Sequence, residues 1–392
     1  MGLKEARGAL AIKALFFLYY AGIGQFLSFL NVYFLDIGLS GTQIGILGTI
    51  GTLIAVVSTT VWGMLSDRFG KPRLLFLVAF TGTIAGTLAL SAMQTFSSIL
   101  LVVCFMSLFN RTLMPLIDST ALVLLADQRE RYGTYRVWGS IGFIGGSTAA
   151  GFIYEQTGLH AMFTGFVILM TLGLLVSLRL PDQAVHLSGS AWSGLLKMIR
   201  RPEWATFAGS AFFVWLAVTG MLGFLGVTIS TMGGSDRLIG LAGTIAALTE
   251  IPGMFFAARI LHRFRATQLI AVGVTLYALR MFLYAVMPSP EWALAISMLN
   301  GVTYMPFWIG AVAYASEHAP ENMRATTQGL LFSVMNLSNV IGALGSGWLF
   351  DRTGFSGLFT VLGISCLIAL GLFGFGQVAF KRKKYYINVS SG

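Results

Sequence analysis

The chain has 392 residues, of which 56% are hydrophobic and only 10% are charged, and its mean hydropathy is +0.79. Soluble domains carry about 25% charged residues, so this composition excludes a soluble protein and predicts a chain whose surface faces lipid. The net charge of +10 comes from basic residues in short segments between apolar runs, which argues against a nucleic-acid-binding surface.

Twelve apolar runs are long enough to cross a bilayer as helices. They cover residues 14–35, 42–64, 74–93, 98–125, 136–154, 160–179, 204–231, 238–260, 268–287, 292–316, 326–350 and 356–379, and we number them spans 1 to 12. An open strand would leave backbone groups without hydrogen bonds in hydrocarbon, so each span is predicted to be an α-helix. The expected fold class is therefore an all-α membrane protein with twelve transmembrane helices.

The first six spans resemble the last six. Residues 151–163, GFIYEQTGLHAMF, align with residues 347–359, GWLFDRTGFSGLF, at an offset of 196 residues, which is half of the chain. Chance recurrence of a glycine-containing turn is one explanation. The other is duplication of a six-helix unit, which predicts two pseudo-symmetric bundles with a substrate site where they meet. The expected divisions are an N-terminal bundle (1–180), a cytoplasmic central loop (181–203), a C-terminal bundle (204–380) and a basic cytoplasmic tail (381–392).

Basic residues indicate the orientation in the membrane, because Lys and Arg concentrate in short cytoplasmic loops. With both termini in the cytoplasm, 20 of the 25 Lys and Arg residues lie on the inner side, and only Arg237 and Arg352 lie on the outer side. We therefore predict a multi-pass integral membrane protein of the bacterial plasma (inner) membrane with both termini cytoplasmic.

The segment between spans 2 and 3 carries a motif made of Gly63, Asp67, Arg68, Gly70 and Lys71. An acid, an arginine and a glycine precede basic residues at a spacing that resembles the signature loop of the major facilitator superfamily. The resemblance implies the major facilitator fold and a cytoplasmic gate, in which Asp67 and Arg68 help to close the inner side. The alternative is a solvated, positively charged loop without a gating role.

Five charged residues of the predicted spans are interpreted as lying at bilayer depth, namely Arg111, Asp118, Arg136, Glu250 and Arg280. An ionisable side chain at bilayer depth costs a few kcal/mol, so all five are candidates for proton coupling or substrate binding. Arg111 and Asp118 are seven residues apart and therefore share a helix face. The alternative is a set of ion pairs that hold helices together, and Arg136 lies close enough to a helix start to extend towards the interface.

A narrower resemblance involves four of these residues. Pro115 lies three residues before Asp118, and Arg136 lies eighteen residues after it, which is similar to spans 4 and 5 of the lactose permease branch. That branch includes sugar, nucleoside and phenylpropionate permeases. Glu250 and Arg280 resemble the acid and the arginine of its spans 8 and 9, which belong to a proton-coupling and substrate network. The resemblance implies the same roles here.

Span 10 departs from lactose permease. Gly301 and Tyr304 stand where lactose permease carries a histidine and a glutamate before a proline, which is Pro306 in this chain. A galactoside substrate is therefore not implied. Asp118 and Glu250 remain as the protonatable groups at bilayer depth.

Gln25, Asn31 and Tyr304 are polar side chains of spans 1 and 10, and we interpret them as candidates for lining a substrate cavity. Interhelical hydrogen bonds are the alternative. The histidines lie in predicted loops or at helix ends, and no metal-ligand, nucleophile or phosphate-binding pattern is present, so we expect no metal, no cofactor and no enzymatic activity. The expected partners are a small-molecule substrate, protons and membrane lipids, without nucleic acid, and we expect a monomer.

The predicted function is secondary active transport. The preferred hypothesis is proton-coupled symport, which is uptake of a small polar solute such as a sugar, a nucleoside or an aromatic acid by alternating access. One alternative is proton-driven efflux of amphipathic compounds by a drug/proton antiporter. Another is a membrane receptor that binds a ligand without transporting it.

Overall fold

The computed structural model describes residues 3–69, 71–125, 128, 131–180, 202–319 and 324–390, and the regular secondary structure in these ranges is helical. In chain order the helices are α1 (Leu3–Asp36), α2 (Gly41–Phe69), α3 (Pro72–Ser91), α4 (Phe96–Leu125), α5 (Tyr132–Thr157), α6 (Ala161–Ser177), α7 (Pro202–Thr231), α8 (Asp236–Arg263), α9 (Ala266–Ala285), α10 (Trp292–Ser297), α11 (Asn300–Glu317) and α12 (Arg324–Ser390). Nine helical segments of the described chain are long and apolar enough to cross a membrane, and α6 is a shorter apolar helix.

The helices coincide with the twelve predicted spans. Spans 1 to 9 correspond to α1 to α9, span 10 comprises α10 and α11, and spans 11 and 12 both lie in α12. Within α12 the backbone is non-helical at Gly354, with φ 64° and ψ −169°, so this helix consists of two segments. The predicted all-α membrane fold is confirmed.

Two glycine turns recur at related positions in the two halves of the sequence. Gly158 and Gly354 occupy the same place in the two aligned repeats, and their φ angles are 82° and 64°. Gly38 and Gly233 follow α1 and α7, with φ angles of 90° and 83°. These angles lie in the left-handed region, which glycine adopts without a steric penalty. The repeats therefore share turn geometry as well as sequence.

The chain divides into two compact units. Unit 1 covers Met1–Gly189 and Leu225–Ala247, and unit 2 covers Ser190–Phe224 and Leu248–Gly392. The first part of α8 belongs to unit 1 because it packs on α5. There the Ser147 hydroxyl donates a hydrogen bond to the Gly240 carbonyl oxygen at 3.0 Å, and the Thr148 and Thr244 hydroxyl oxygens lie 2.7 Å apart. The rest of α8, which includes Glu250, belongs to unit 2.

In unit 1, α1 packs on both α5 and α6, while α4 packs on α2 and α3. Gly142 and Gly146 of α5 lie against the backbone of Phe17 and Ala21 in α1, and neither position has room for a Cβ atom. Small residues allow membrane helices to approach this closely. The close approach of α1 and α5 places the aromatic residues of α1 beside the first turns of α5.

In unit 2, α9 packs on α11 and α12. Gly273 of α9 lies against Phe307 of α11, so that a Cβ atom at position 273 would come within 2.6 Å of the Phe307 nitrogen. Gly301 of α11 lies against Thr249 of α8, again without room for a Cβ atom, and its N–H donates to the Thr249 hydroxyl at 3.1 Å. These contacts bring polar residues of α8, α9 and α11 together.

Candidate functional site

One face of α4 contacts neighbouring helices through hydrogen bonds. Arg111, Met114 and Asp118 follow one another at the spacing of a single helix face. The Met114 sulfur accepts a hydrogen bond from the Tyr20 hydroxyl of α1 at 3.1 Å, and Asp118 Oδ1 accepts one from the Tyr132 hydroxyl of α5 at 2.7 Å. This face of α4 is therefore directed towards α1 and α5.

Arg136 of α5 is held by an aromatic residue of α1. Its Nη2 donates a hydrogen bond to the Tyr20 hydroxyl at 2.5 Å, and its guanidinium carbon lies 4.2 Å from the Tyr20 ring centroid. Gly139 makes room for this arrangement, because a Cβ atom there would come within 2.7 Å of Arg136 Nη1. In the described part of the chain, tyrosine hydroxyls rather than a direct ion pair contact Asp118 and Arg136.

Arg111 differs from Arg136, since its side chain is exposed and has no hydrogen-bond or ion-pair partner among the residues that the structure describes. It lies within electrostatic range of Tyr19 in α1, as do Asp118 and Arg136. We call Tyr19, Tyr20, Arg111, Asp118, Tyr132 and Arg136 the unit 1 cluster. Its two arginines and one aspartate give a formal charge of +1.

A second polar network lies in unit 2, around a buried arginine. The Arg280 side chain is only 1% exposed, its Nη1 donates to Asn300 Oδ1 at 2.5 Å, and its Nη2 donates to the Tyr284 hydroxyl at 3.2 Å. Asn300 Nδ2 in turn donates to Glu250 Oε1 at 2.6 Å. Because a guanidinium only donates and a carboxylate only accepts, one amide serves both charged groups. Asn300 therefore links the base to the acid.

The backbone of the tenth span tightens just before Asn300. α10 ends at Ser297 and α11 begins at Asn300. In the turn between them the Met298 N–H donates to the Ala295 carbonyl at 3.2 Å, and the Leu299 N–H donates to the Ile296 carbonyl at 3.1 Å. Such i to i−3 hydrogen bonds in the middle of a span tighten the helix locally.

The sequence does not predict the link that Asn300 makes between Glu250 and Arg280, nor the packing of Gly301 on α8. Gly301, interpreted above only as a departure from lactose permease, is the residue that lets α11 approach α8 at Thr249. Asn300 precedes it directly and connects Glu250 to Arg280. An asparagine next to a glycine within an apolar span is the only signal in the sequence, and hydropathy does not distinguish it from other polar residues of the spans.

The three candidate cavity residues have different surroundings. Gln25 is buried, donates to the Met162 carbonyl at 3.3 Å and accepts a hydrogen bond from the Tyr154 hydroxyl, so it joins α1 to α5 and α6. Asn31 is half-buried in α1. Tyr304 is half-buried and stacks on Trp308, with ring centroids 5.9 Å apart. The contacts of Gln25 are interhelical hydrogen bonds, the alternative given for these residues.

The chain matches the model of the MFS_1 like family over residues 9–361, which is most of its length. It belongs to this family of the major facilitator superfamily. The transporter is 25% identical to the maltose permease of Geobacillus stearothermophilus over 390 residues, which cover 94% of this chain and 97% of that protein. It is 23% identical to the probable 3-phenylpropionic acid transporter of Escherichia coli (strain K12), with 91% of this chain and 95% of that protein covered.

Among solved structures, the crystal structure of the nucleoside transporter NupG has the same fold, with a TM-score of 0.84 at 17% identity, covering 96% of this chain and 99% of that one. Membership of the family makes this protein a multi-pass secondary transporter of small molecules, and therefore not an enzyme. The predicted relationship to the major facilitator superfamily is confirmed.

The gate motif of this MFS transporter lies at the junction of α2 and α3. Gly63 is buried near the end of α2, and Lys71 is exposed just before α3 begins. Asp67 and Arg68 are in the last turns of α2, but their side chains, like Gly70, lie outside the described residues. The gating role of this motif stays a prediction.

Proposed function

We propose that this MFS transporter is a proton-coupled symporter, which takes up a small polar solute such as a sugar, a nucleoside or an aromatic acid. The observation that carries the proposal is the single amide of Asn300 shared by Glu250 and Arg280. The names of the relatives support the solute range, because they include a maltose permease and a probable 3-phenylpropionic acid transporter.

Proton uptake follows from the energetics of the shared amide. A charged carboxylate at bilayer depth is costly unless hydrogen-bond donors compensate it. When solute or helix movement draws the Asn300 amide towards Arg280, Glu250 loses one donor, and a proton taken up from the outer aqueous solution neutralises its carboxylate. When the amide returns, the carboxylic acid releases the proton to the inner side. Solute movement and proton movement are thereby linked.

The unit 1 cluster provides a second acid with comparable surroundings. Asp118 accepts a hydrogen bond from Tyr132 and faces Arg136, whose own partner is Tyr20. We propose that solute binds among these side chains and that Asp118 holds the Tyr132 hydroxyl in place.

Asp67 and Arg68 act as a cytoplasmic gate, which closes the inner side when the site is open to the outside.

The test of the proposed function is a solute-uptake screen in proteoliposomes with an imposed pH gradient. Sugars, nucleosides and aromatic acids are supplied outside, and we expect at least one to accumulate above its external concentration with measurable proton entry. Accumulation that does not depend on the pH gradient contradicts proton coupling. Drug resistance of overproducing cells, without accumulation of any solute, instead indicates efflux.

We expect the variant Tyr132→Phe to slow proton-driven uptake at least about tenfold. The substitution removes the hydroxyl that donates to Asp118, and a hydrogen bond to a charged group contributes about 1.5–3 kcal/mol. Initial uptake rates in proteoliposomes measure the effect. Tyr135→Phe is the matched control, because it makes the same change in α5. It keeps the Tyr135 ring, whose centroid lies 5.1 Å from Lys13 Nζ. Equal rates for the two variants would exclude a role for the Tyr132 hydroxyl.

We also propose that both termini lie in the cytoplasm of a bacterial cell, that the transporter acts as a monomer, and that its two bundles cover residues 1–180 and 204–380. The distribution of basic residues supports the orientation.

A membrane-impermeant maleimide is expected to label Arg352→Cys in intact cells, and to label Arg265→Cys only after the cells are permeabilised. The reverse labelling pattern would contradict this orientation.

A further inference from the structure

We infer that the solute of this transporter is a monoanion, specifically a carboxylate, and that Arg111 binds its charge. The inference rests on the proposed function, since it names the class of solute that the same symporter carries. It is drawn from the unit 1 cluster alone.

Arg111 lies in the middle of α4, where a charge without compensation is costly. Met114 and Asp118 share its helix face, and both contact neighbouring helices through tyrosine hydroxyls. The Arg111 side chain therefore lies on the side of α4 that faces α1 and α5. It is exposed there and has no hydrogen-bond or ion-pair partner in the described part of unit 1. Its guanidinium donors are available to a ligand.

The other charges of the cluster already have partners. Arg136 donates to Tyr20 and lies over its ring, while Asp118 accepts from Tyr132. The cluster thus keeps a formal charge of +1 that sits on Arg111. A neutral sugar leaves this charge uncompensated. A carboxylate neutralises it and accepts two parallel hydrogen bonds from the planar guanidinium.

A monoanion changes the electrical character of transport. One proton moving with one carboxylate carries no net charge, so uptake responds to a pH gradient and not to a membrane potential. One proton moving with a sugar or a nucleoside carries one positive charge, so uptake responds to both. Of the other titratable groups in the cluster, Tyr19 from α1 interacts electrostatically with Arg111, and Tyr20 from α1, Asp118 from α4, and Tyr132 and Arg136 from α5 complete its charged and titratable set.

The experiment compares matched carboxylates and amides in proteoliposomes, with uptake by empty liposomes subtracted. The probes are phenylacetate with phenylacetamide and glucuronate with glucuronamide, and maltose and uridine serve as neutral solutes. A pH gradient and a potassium diffusion potential are imposed separately. We expect a carboxylate to accumulate under the pH gradient, its amide to be excluded, and the potential alone to drive no uptake.

The variant Arg111→Gln is expected to raise the KM for the carboxylate at least tenfold, and Arg111→Lys is expected to recover part of the affinity. Arg352→Gln is the control, because Arg352 lies over the Trp348 ring outside the predicted spans. Thermal melting in detergent verifies that the variants are folded. An unchanged KM in folded Arg111→Gln overturns the role of Arg111.

Accumulation of maltose or uridine under the pH gradient, with carboxylates neither transported nor inhibitory, overturns the anion inference and leaves proton symport intact. If no solute accumulates under either gradient, the proposed function fails and the inference fails with it. The two failures are therefore distinguishable.

Discussion

Glu250→Gln is expected to abolish uphill accumulation of solute while solute exchange across the membrane continues. Glutamine keeps an oxygen that accepts the hydrogen bond from Asn300 Nδ2, so the packing of α8 on α11 is preserved. It cannot bind and release a proton, so transport proceeds without proton entry. The ratio of internal to external solute under an inward proton gradient should fall to about one, from a wild-type value that a single proton and a one-unit pH gradient would set at about ten.

The readouts are proton entry, accumulation and counterflow in the same proteoliposomes. Glu291→Gln is the matched control, since Glu291 is exposed just before α10 and lies outside the predicted spans. A hydrogen bond with Ser289 holds the pKa of Glu291 below its usual value, so this carboxylate stays ionised at neutral pH. If Glu250→Gln accumulates solute to the wild-type ratio, Glu250 is excluded as the coupling residue, and Asp118 is the remaining candidate.

Gly301→Val is expected to reduce uptake at least tenfold and to lower the melting temperature of the purified transporter. The backbone of Thr249 occupies the space that a side chain at position 301 needs, so α8 and α11 must separate. Overpacking of this kind costs about 1–3 kcal/mol. Separation of the helices also lengthens the hydrogen bond between Asn300 and Glu250, and transport depends on that contact.

Gly345→Val is the control for this substitution, because no atom outside the adjacent backbone lies within 4 Å of a Cβ built at Gly345 in α12. It introduces the same side chain into a helix without a clash, so uptake and melting temperature should stay close to wild type. Gly301→Ala should have an uptake rate and a melting temperature between those of the two valine variants. If Gly301→Val transports as well as Gly345→Val, the close contact of α8 and α11 has no part in function.

The spans could be predicted from hydropathy, because in lipid an apolar run of about 20 residues has to form a helix that satisfies its own backbone. The interruption of α12 could also be predicted, since the repeat places Gly354 in a turn that resembles the one at Gly158. The local tightening between α10 and α11 could not. Residues 292–316 read as one continuous apolar run, and hydropathy does not indicate the i to i−3 hydrogen bonds that form just before Asn300.

The candidate site was predicted in part. The helical period places Arg111 and Asp118 on one face of α4, because side chains seven residues apart repeat after two turns. It did not identify the partners of the charges, which are Tyr132 for Asp118 and Tyr20 for Arg136. Partners on other helices depend on how closely those helices approach, and periodicity along one helix contains no such information.

The sequence alone determined the class of protein, the positions of the membrane spans and the identity of the few charges at bilayer depth. Each of these follows from the free-energy cost of placing polar groups in hydrocarbon. That cost applies to each residue separately, so it can be judged from the sequence. Only the tertiary structure decided which charges share a partner. Arg280 and Glu250 meet the same amide because Gly301 lets α11 come close to α8, and that distance is set by the shapes of three packed helices together.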